Sequence, residues 1–113
     1  MIVIYQHPRC RAAKKCIKIL ETDCNQINEI SHHGLDVTEN ELRRIISILG
    51  CKPIDLIKLG HTIYKTLLQF LDLNDDELIK IMLHYPVIIK SPIVINGNKA
   101  VIGRPPELIK QII

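Results

Sequence analysis

The chain has 113 residues, 47% of them hydrophobic, and a formal net charge of +3. That length makes one domain with enough apolar content for a core, and so slight a charge argues against nucleic acid as a direct partner. No stretch reaches the roughly 18 apolar residues of a membrane span, and the start MIVIYQHPRC lacks the basic region and long apolar run of a secretion signal, so a cytoplasmic protein without a membrane partner is expected.

The run MIVIYQ, rich in Ile and Val, fits a short buried strand that Pro8 ends. From Cys10 onward Ala13, Cys16, Ile17 and Leu20 fall on one helical face, with Arg11, Lys14, Lys15 and Lys18 on the other. Cys10 therefore stands at a helix start directly after the first strand. NQINEISHHG reads as a second, weaker strand anchored by Ile27 and Ile30.

Two capping signals follow. Thr38 with Glu41 forms a capping box, flanked by a Val37–Leu42 staple. Asn74 with Glu77 repeats it, with Leu73 and Leu78 as staple and Asp75 and Asp76 suited to the helix dipole. The first of these helices runs to about Leu49, with Gly50 as its C′ residue. Pro53 opens a short helix through Lys58, closed by Gly60, and TIYKTLLQFL reads as helical. SPIVINGNKAVIG is a pair of strands joined around Asn96-Gly97-Asn98, and RPPELIKQII closes the chain as a helix.

The order is strand, helix, strand, several helices, hairpin, helix. A parallel β-α-β unit followed by an antiparallel hairpin and a last helix predicts an α/β, thioredoxin-like fold, with the middle helices as an insertion.

Without an export signal, the four cysteines are expected to stay reduced. Cys10 is the one whose setting favours chemistry. A free thiol near pKa ~8.5 supplies little thiolate at neutral pH, whereas the unpaired amides and partial positive charge of a helix start favour the anion. Arg9, Arg11 and Lys14 add charges nearby, and His7 adds another when protonated. Such a set would also draw an oxyanion to the sulfur. The alternative is a small residue opening a helix whose basic face is simply solvated.

Cys16 lies on the apolar face and is expected to be packed. Six residues of helix set it roughly 9 Å from Cys10, beyond the ~7 Å reach of a disulfide. Cys24 and Cys51 fall near element ends. The adjacent His32 and His33 sit in a polar turn, the cysteine spacings match no zinc pattern, and no metal site is expected.

IYQHPRC ahead of a helix, together with SPIVINGNKAVIGRPPE near the end, resembles the glutaredoxin-dependent arsenate reductase family (ArsC/Spx-like), which also contains Spx-type regulators. The likeness runs over nearly the whole chain, and its most specific part is the pairing of P-x-C with PIV…IGRPPE. It implies one thioredoxin-like domain over residues 1–113 with a helical insertion at about 38–84. It also implies a cysteine that attacks arsenate, glutathione that displaces the thiolated arsenic, and glutaredoxin that regenerates the thiol, with no bound cofactor. By position, Cys10 is the nucleophile, Arg104 the matching oxyanion-binding arginine, and Pro92 the cis-proline beside the site.

The chain departs from that pattern in three places. Lys58 in DLIKLG replaces an arginine and loses its bidentate fork. Ser91 stands where an arginine usually precedes PIV, with Lys90 beside it, and Gln6-His7 replaces the His-Asn of HNPxC. The substrate-binding set is thus Arg104, Lys58, Ser91, Arg11 and His7, on a small oxyanion or a thiol/disulfide substrate. The competing reading is a Spx-like regulator that binds RNA polymerase without catalysis. Position 13 is Ala rather than Cys, so the Cys-x-x-Cys switch of many such regulators cannot form here.

Overall fold

The computed structural model describes residues 2–23 and 30–113, so Cys24 and Ile27 lie outside the described residues. The chain divides into two compact units, one of residues 1–35 and 91–113, the other of 36–90.

The first unit is built on a four-stranded sheet. Its strands are β1 (Ile2–Tyr5), β2 (Ile30–His33), β3 (Ile93–Asn96) and β4 (Lys99–Ile102), in the order β2-β1-β3-β4. Strand β1 pairs in parallel with β2 and antiparallel with β3, and β3 pairs antiparallel with β4. This is the mixed sheet expected from a β-α-β unit followed by a hairpin. The hairpin turns at Gly97 and Asn98, and Gly97 has φ 65°, so the first loop residue carries the positive φ of a type II′ turn.

Helix α1 (Arg11–Asp23) packs its apolar stripe on the sheet. Ala13, Cys16 and Leu20 are buried with Ile2 and Ile4 of β1, Val94 of β3, and Ile109 and Ile112. The register explains the choice, since Ile4 and Val94 are direct partners across β1 and β3 and so project from the same face. The closing segment is a 3₁₀ helix, Pro106–Gln111, rather than an α-helix. Its hydrogen bonds run three residues back, from Leu108 N–H to the Pro105 carbonyl at 3.1 Å and from Ile112 N–H to the Ile109 carbonyl at 3.1 Å. Residues three apart eclipse in a 3₁₀ helix, so Ile109 and Ile112 enter the core together. Asn96 Nδ2 secures the end by donating to the Ile112 carbonyl at 2.6 Å.

The second unit holds α2 (Glu39–Leu49) and α3 (Asp75–His84), with 3₁₀ helices at Pro53–Leu56 and Pro86–Ile88. The Asn74–Glu77 capping box forms in full: Glu77 N–H donates to Asn74 Oδ1 at 2.8 Å and Asn74 N–H to Glu77 Oε1 at 3.1 Å. The Thr38 box forms by half. Glu41 N–H reaches Thr38 Oγ1, but the Glu41 carboxylate takes the Thr38 hydroxyl proton instead of the Thr38 N–H. Gly50 ends α2 in the left-handed region at φ 67°.

The helix opened by Pro53 stops at Leu56 rather than Lys58. Ile57 turns into an antiparallel bridge with Ile89, held by 2.8 Å bonds from Lys58 N–H to the Ile88 carbonyl and from Lys90 N–H to the Leu56 carbonyl. That bridge also carries the unit to Lys90, past the expected edge of the insertion near residue 84. TIYKTLLQFL is helical over 62–68, as expected, with Tyr64–Leu68 wound as a π-helix. No helix among the described residues is long and apolar enough to cross a membrane.

Candidate functional site

The site forms at one end of the sheet, and strand register assembles it. Tyr5 pairs with Ile93, so two residues further along His7 faces Ser91. Ile93 also pairs with Ile102, so the same two-residue extension sets Arg104 across from Ser91. Three residues far apart in sequence therefore meet in one line beyond the strand ends.

Between β1 and α1 the chain makes a tight turn. Cys10 N–H donates to the His7 carbonyl at 3.3 Å, with Pro8 at the second position of the turn and Arg9 at the third with φ 60°. Positive φ at the third position is type II geometry, for which glycine or asparagine is the usual residue. The turn delivers Cys10 to the start of α1, where its carbonyl accepts from Lys14 N–H at 3.3 Å.

The half-buried Cys10 sulfur is surrounded by donors. Ser91 Oγ donates to Sγ at 3.3 Å, and Arg104 Nη2 donates to it at 3.7 Å. Burial by itself would raise the thiol pKa. The Ser91 hydroxyl, the Ala13 N–H, the Arg104 guanidinium and the Ala12 N–H outweigh it together and hold the pKa below the ordinary thiol value. Ser91 is fully buried and its Oγ also accepts the His7 N–H at 3.1 Å. Arg104 Nε donates to the Ser91 carbonyl. The peptide bonds Ser91–Pro92 and Arg104–Pro105 are both cis.

Beside the sulfur lies a groove of about 550 Å³, lined by Gln6, His7, Pro8, Arg9, Cys10, Lys14, Ile17, His32, His33 and Gly34. None of these lining residues is acidic, so the groove suits an anion. His32 and His33 belong to β2 rather than to a turn. The His33 ring packs 5.3 Å from that of Tyr5 and shares a 2.8 Å hydrogen bond with Ser31 Oγ, while His32 Nδ1 lies 3.3 Å from Gln6 Nε2. Residues 5–112 match the pattern of the ArsC family.

The chain belongs to the ArsC family. It is 34% identical over 114 residues to an arsenate reductase of Haemophilus influenzae, covering 99% of this chain and 98% of that one. It is 26% identical over 113 residues to an arsenate reductase of Escherichia coli K12, covering 99% of this chain and 80% of the other. The structure of an arsenate reductase from Vibrio cholerae superposes with a TM-score of 0.83 at 28% identity, covering 99% of this chain and 97% of that one. A thioredoxin-like ArsC fold with its additional helical segment agrees with the sheet order and the inserted unit.

Within this ArsC-family fold the expected site residues separate. Cys10, Ser91, Arg104 and the His7 main chain meet at the sulfur. Arg11 does not join the groove. Cys10, Lys14 and Ile17 share one helical face, and position 11 is turned about 100° away from it and exposed. The guanidinium that acts on the thiol is that of Arg104, 94 residues distant, rather than that of Arg9 or Arg11. Lys58 and Lys90 belong to the second unit.

Cys16 is fully buried on α1, and burial, reinforced by Cys10 and Glu107, pushes its pKa up to about 11. Cys10, Cys16 and Cys51 are free thiols. Burial and Asp55 raise the Cys51 pKa, so neither Cys16 nor Cys51 has the electrostatics of Cys10. The sequence reading missed the groove residues Gln6, His32, His33 and Gly34. The parallel pairing of Tyr5 with His33 was the signal that could have placed them beside the turn.

Proposed function

We propose that the protein is a thiol-dependent oxidoreductase that reduces a small oxyanion of the arsenate type, with Cys10 as nucleophile. One observation carries the reading: a half-buried sulfur at the start of α1 that accepts from the Ser91 hydroxyl and the Arg104 guanidinium and has a lowered pKa. A thiolate so held is nucleophilic near neutrality. The groove beside it, lined by Arg9 and Lys14, would receive the anion, with Arg104 at the sulfur offsetting charge as the two meet. This assigns the anion to residues of the first unit alone.

In the reaction so read, the thiolate displaces one arsenate hydroxyl, which takes a proton from solvent and leaves as water, and a sulfur–arsenic(V) bond forms. A glutathione thiol then attacks the Cys10 sulfur, the sulfur–arsenic bond breaks, and its electron pair leaves on arsenic, now arsenic(III). Cys10 and glutathione remain joined as a mixed disulfide. A thiol of glutaredoxin takes the glutathione and returns Cys10 to its reduced form. Cys16, buried and with a raised pKa, is a poor resolving thiol for that disulfide.

The test is steady-state turnover with arsenate, glutathione, glutaredoxin and glutathione reductase, read as NADPH consumption. Wild type should turn over and Cys10→Ser should be inactive. Equal rates for the two, or none for wild type, would reject the arsenate reading. Capture of RNA polymerase subunits that is unaffected by Cys10→Ser would favour the regulator instead.

A further inference from the structure

Ser91 was expected to contact substrate, but its surroundings point to a different role. It is fully buried, and its Oγ holds two hydrogen bonds inside the protein, accepting from His7 N–H at 3.1 Å and donating to Cys10 Sγ at 3.3 Å. A serine hydroxyl has one proton. With an amide aimed at its oxygen and the sulfur on its other side, that proton is directed at the sulfur and is not offered to a ligand. The carbonyl of the same residue accepts from Arg104 Nε, while Nη2 of that guanidinium reaches the sulfur at 3.7 Å. One residue thus aligns both side-chain donors on Cys10, one directly and one through the arginine it anchors.

We propose that Ser91 is a positioning residue for Cys10: its hydroxyl, oriented by the His7 amide, holds the sulfur as an anion at the start of α1, and its carbonyl sets the guanidinium of Arg104 against that same atom. The assignment rests on the reading of Cys10 as the nucleophile. It gives this buried serine a thiolate-stabilising function in place of a substrate contact. A neutral donor suits the position. It stabilises an anion without adding a charge to a buried place, where an unpaired cation would be strongly disfavoured. Among the groups that pull the thiol down, this hydroxyl acts most strongly, ahead of the Ala13 amide and Arg104.

The charged and titratable groups of the first unit around the sulfur are Arg104 after β4, Cys16 and Lys14 on α1, and Arg9 and His7 in the turn, with His32 and His33 of β2 across the groove. All are retained when only position 91 is changed, so a shift in the Cys10 titration reports on the hydroxyl.

The experiment measures the rate at which iodoacetamide modifies Cys10 as a function of pH, resolved from the other cysteines by peptide mapping, in wild type and Ser91→Ala. Loss of a hydrogen bond to a charged group should move the midpoint up by about one unit, a roughly tenfold loss of rate at neutral pH. A residue that only filled space would lower the melting temperature and leave the midpoint in place. Should Ser91→Ala not fold, Ser91→Gly takes its place with the same expectation, because it also removes the hydroxyl and adds neither bulk nor a titratable group beside the sulfur. A folded variant with the wild-type midpoint overturns the proposal. Turnover is not needed for this readout, so a shifted midpoint in a protein inactive on arsenate would leave Ser91's role standing while the arsenate reading fell.

Discussion

Gly103 is the position where a single methyl group should do most damage, and the structure supplies the size of the effect. A Cβ on Gly103 would stand 2.5 Å from Cys16 Sγ, 3.0 Å from Pro92 Cγ and 3.7 Å from Ile109 Cγ2. Carbon atoms in favourable contact are ~3.5–4.0 Å apart, so the first overlap is roughly 1 Å or more. Neither close neighbour yields easily. Cys16 is fully buried on α1, and Pro92 is a rigid ring whose carbonyl accepts Gly103 N–H at 2.8 Å. Gly103→Ala must therefore move backbone, and overpacking of that kind costs about 1–3 kcal/mol, with the upper end expected here.

The sulfur of Cys16 is the larger part of that overlap, so Cys16→Ala should relieve it. Alone, Cys16→Ala should cost about 1 kcal/mol for a lost buried atom. The double variant should then be more stable than the sum of the singles by about 1–2 kcal/mol, a coupling expected of residues in direct contact. Urea unfolding followed by circular dichroism measures all four proteins. Gly103→Ala should lower the midpoint by about 1–2 M, given slopes of about 1–3 kcal/mol per molar. Additive single effects, or a loss below about 0.5 kcal/mol for Gly103→Ala, would refute the contact. Because Arg104 follows directly, the same substitution should also slow alkylation of Cys10 in the protein that remains folded.

Two further outcomes follow from the thiols. Arg104→Ala removes a cation 3.7 Å from the Cys10 sulfur, so the midpoint of its alkylation should rise, with a roughly three- to tenfold slower rate at neutral pH; no change would mean that the exposed guanidinium is fully screened. Cys16, held neutral with a pKa of about 11 in the fold, stabilises the protein fully below the ordinary thiol pKa, and that stabilisation is lost as pH rises from there to about 11. The loss should reach about 2–3 kcal/mol, seen as an alkaline fall in stability that is flattened in Cys16→Ala. Parallel curves for the two proteins would contradict it.

The features legible in the sequence were those made by neighbours along the chain. The apolar stripe of α1, the Asn74–Glu77 box, Gly50 at a helix end and the turn at Gly97 all depend on residues within one or two turns of each other. Short-range interactions of this kind are encoded where they act, and so the element order, and with it the mixed sheet, could be read directly. Where a second partner competed, local reading failed: Glu41 bonded the Thr38 hydroxyl, Ile57 left its helix for Ile89, and two isoleucines sharing a core favoured a 3₁₀ end over an α-helix.

The sequence by itself also determined that Cys10 opens a helix, which places amides at its sulfur. Only the tertiary structure decided what else reaches that atom. Arg11, beside Cys10 in sequence, is exposed, because a residue next to another on a helix points about 100° away from it, and Arg9 is exposed in the turn before the helix. The groups that act on the sulfur, Ser91 and Arg104, arrive through the pairing of β3 with β1 and β4. Register between distant strands depends on the whole sheet choosing which faces to bury, and no short stretch of chain contains that choice.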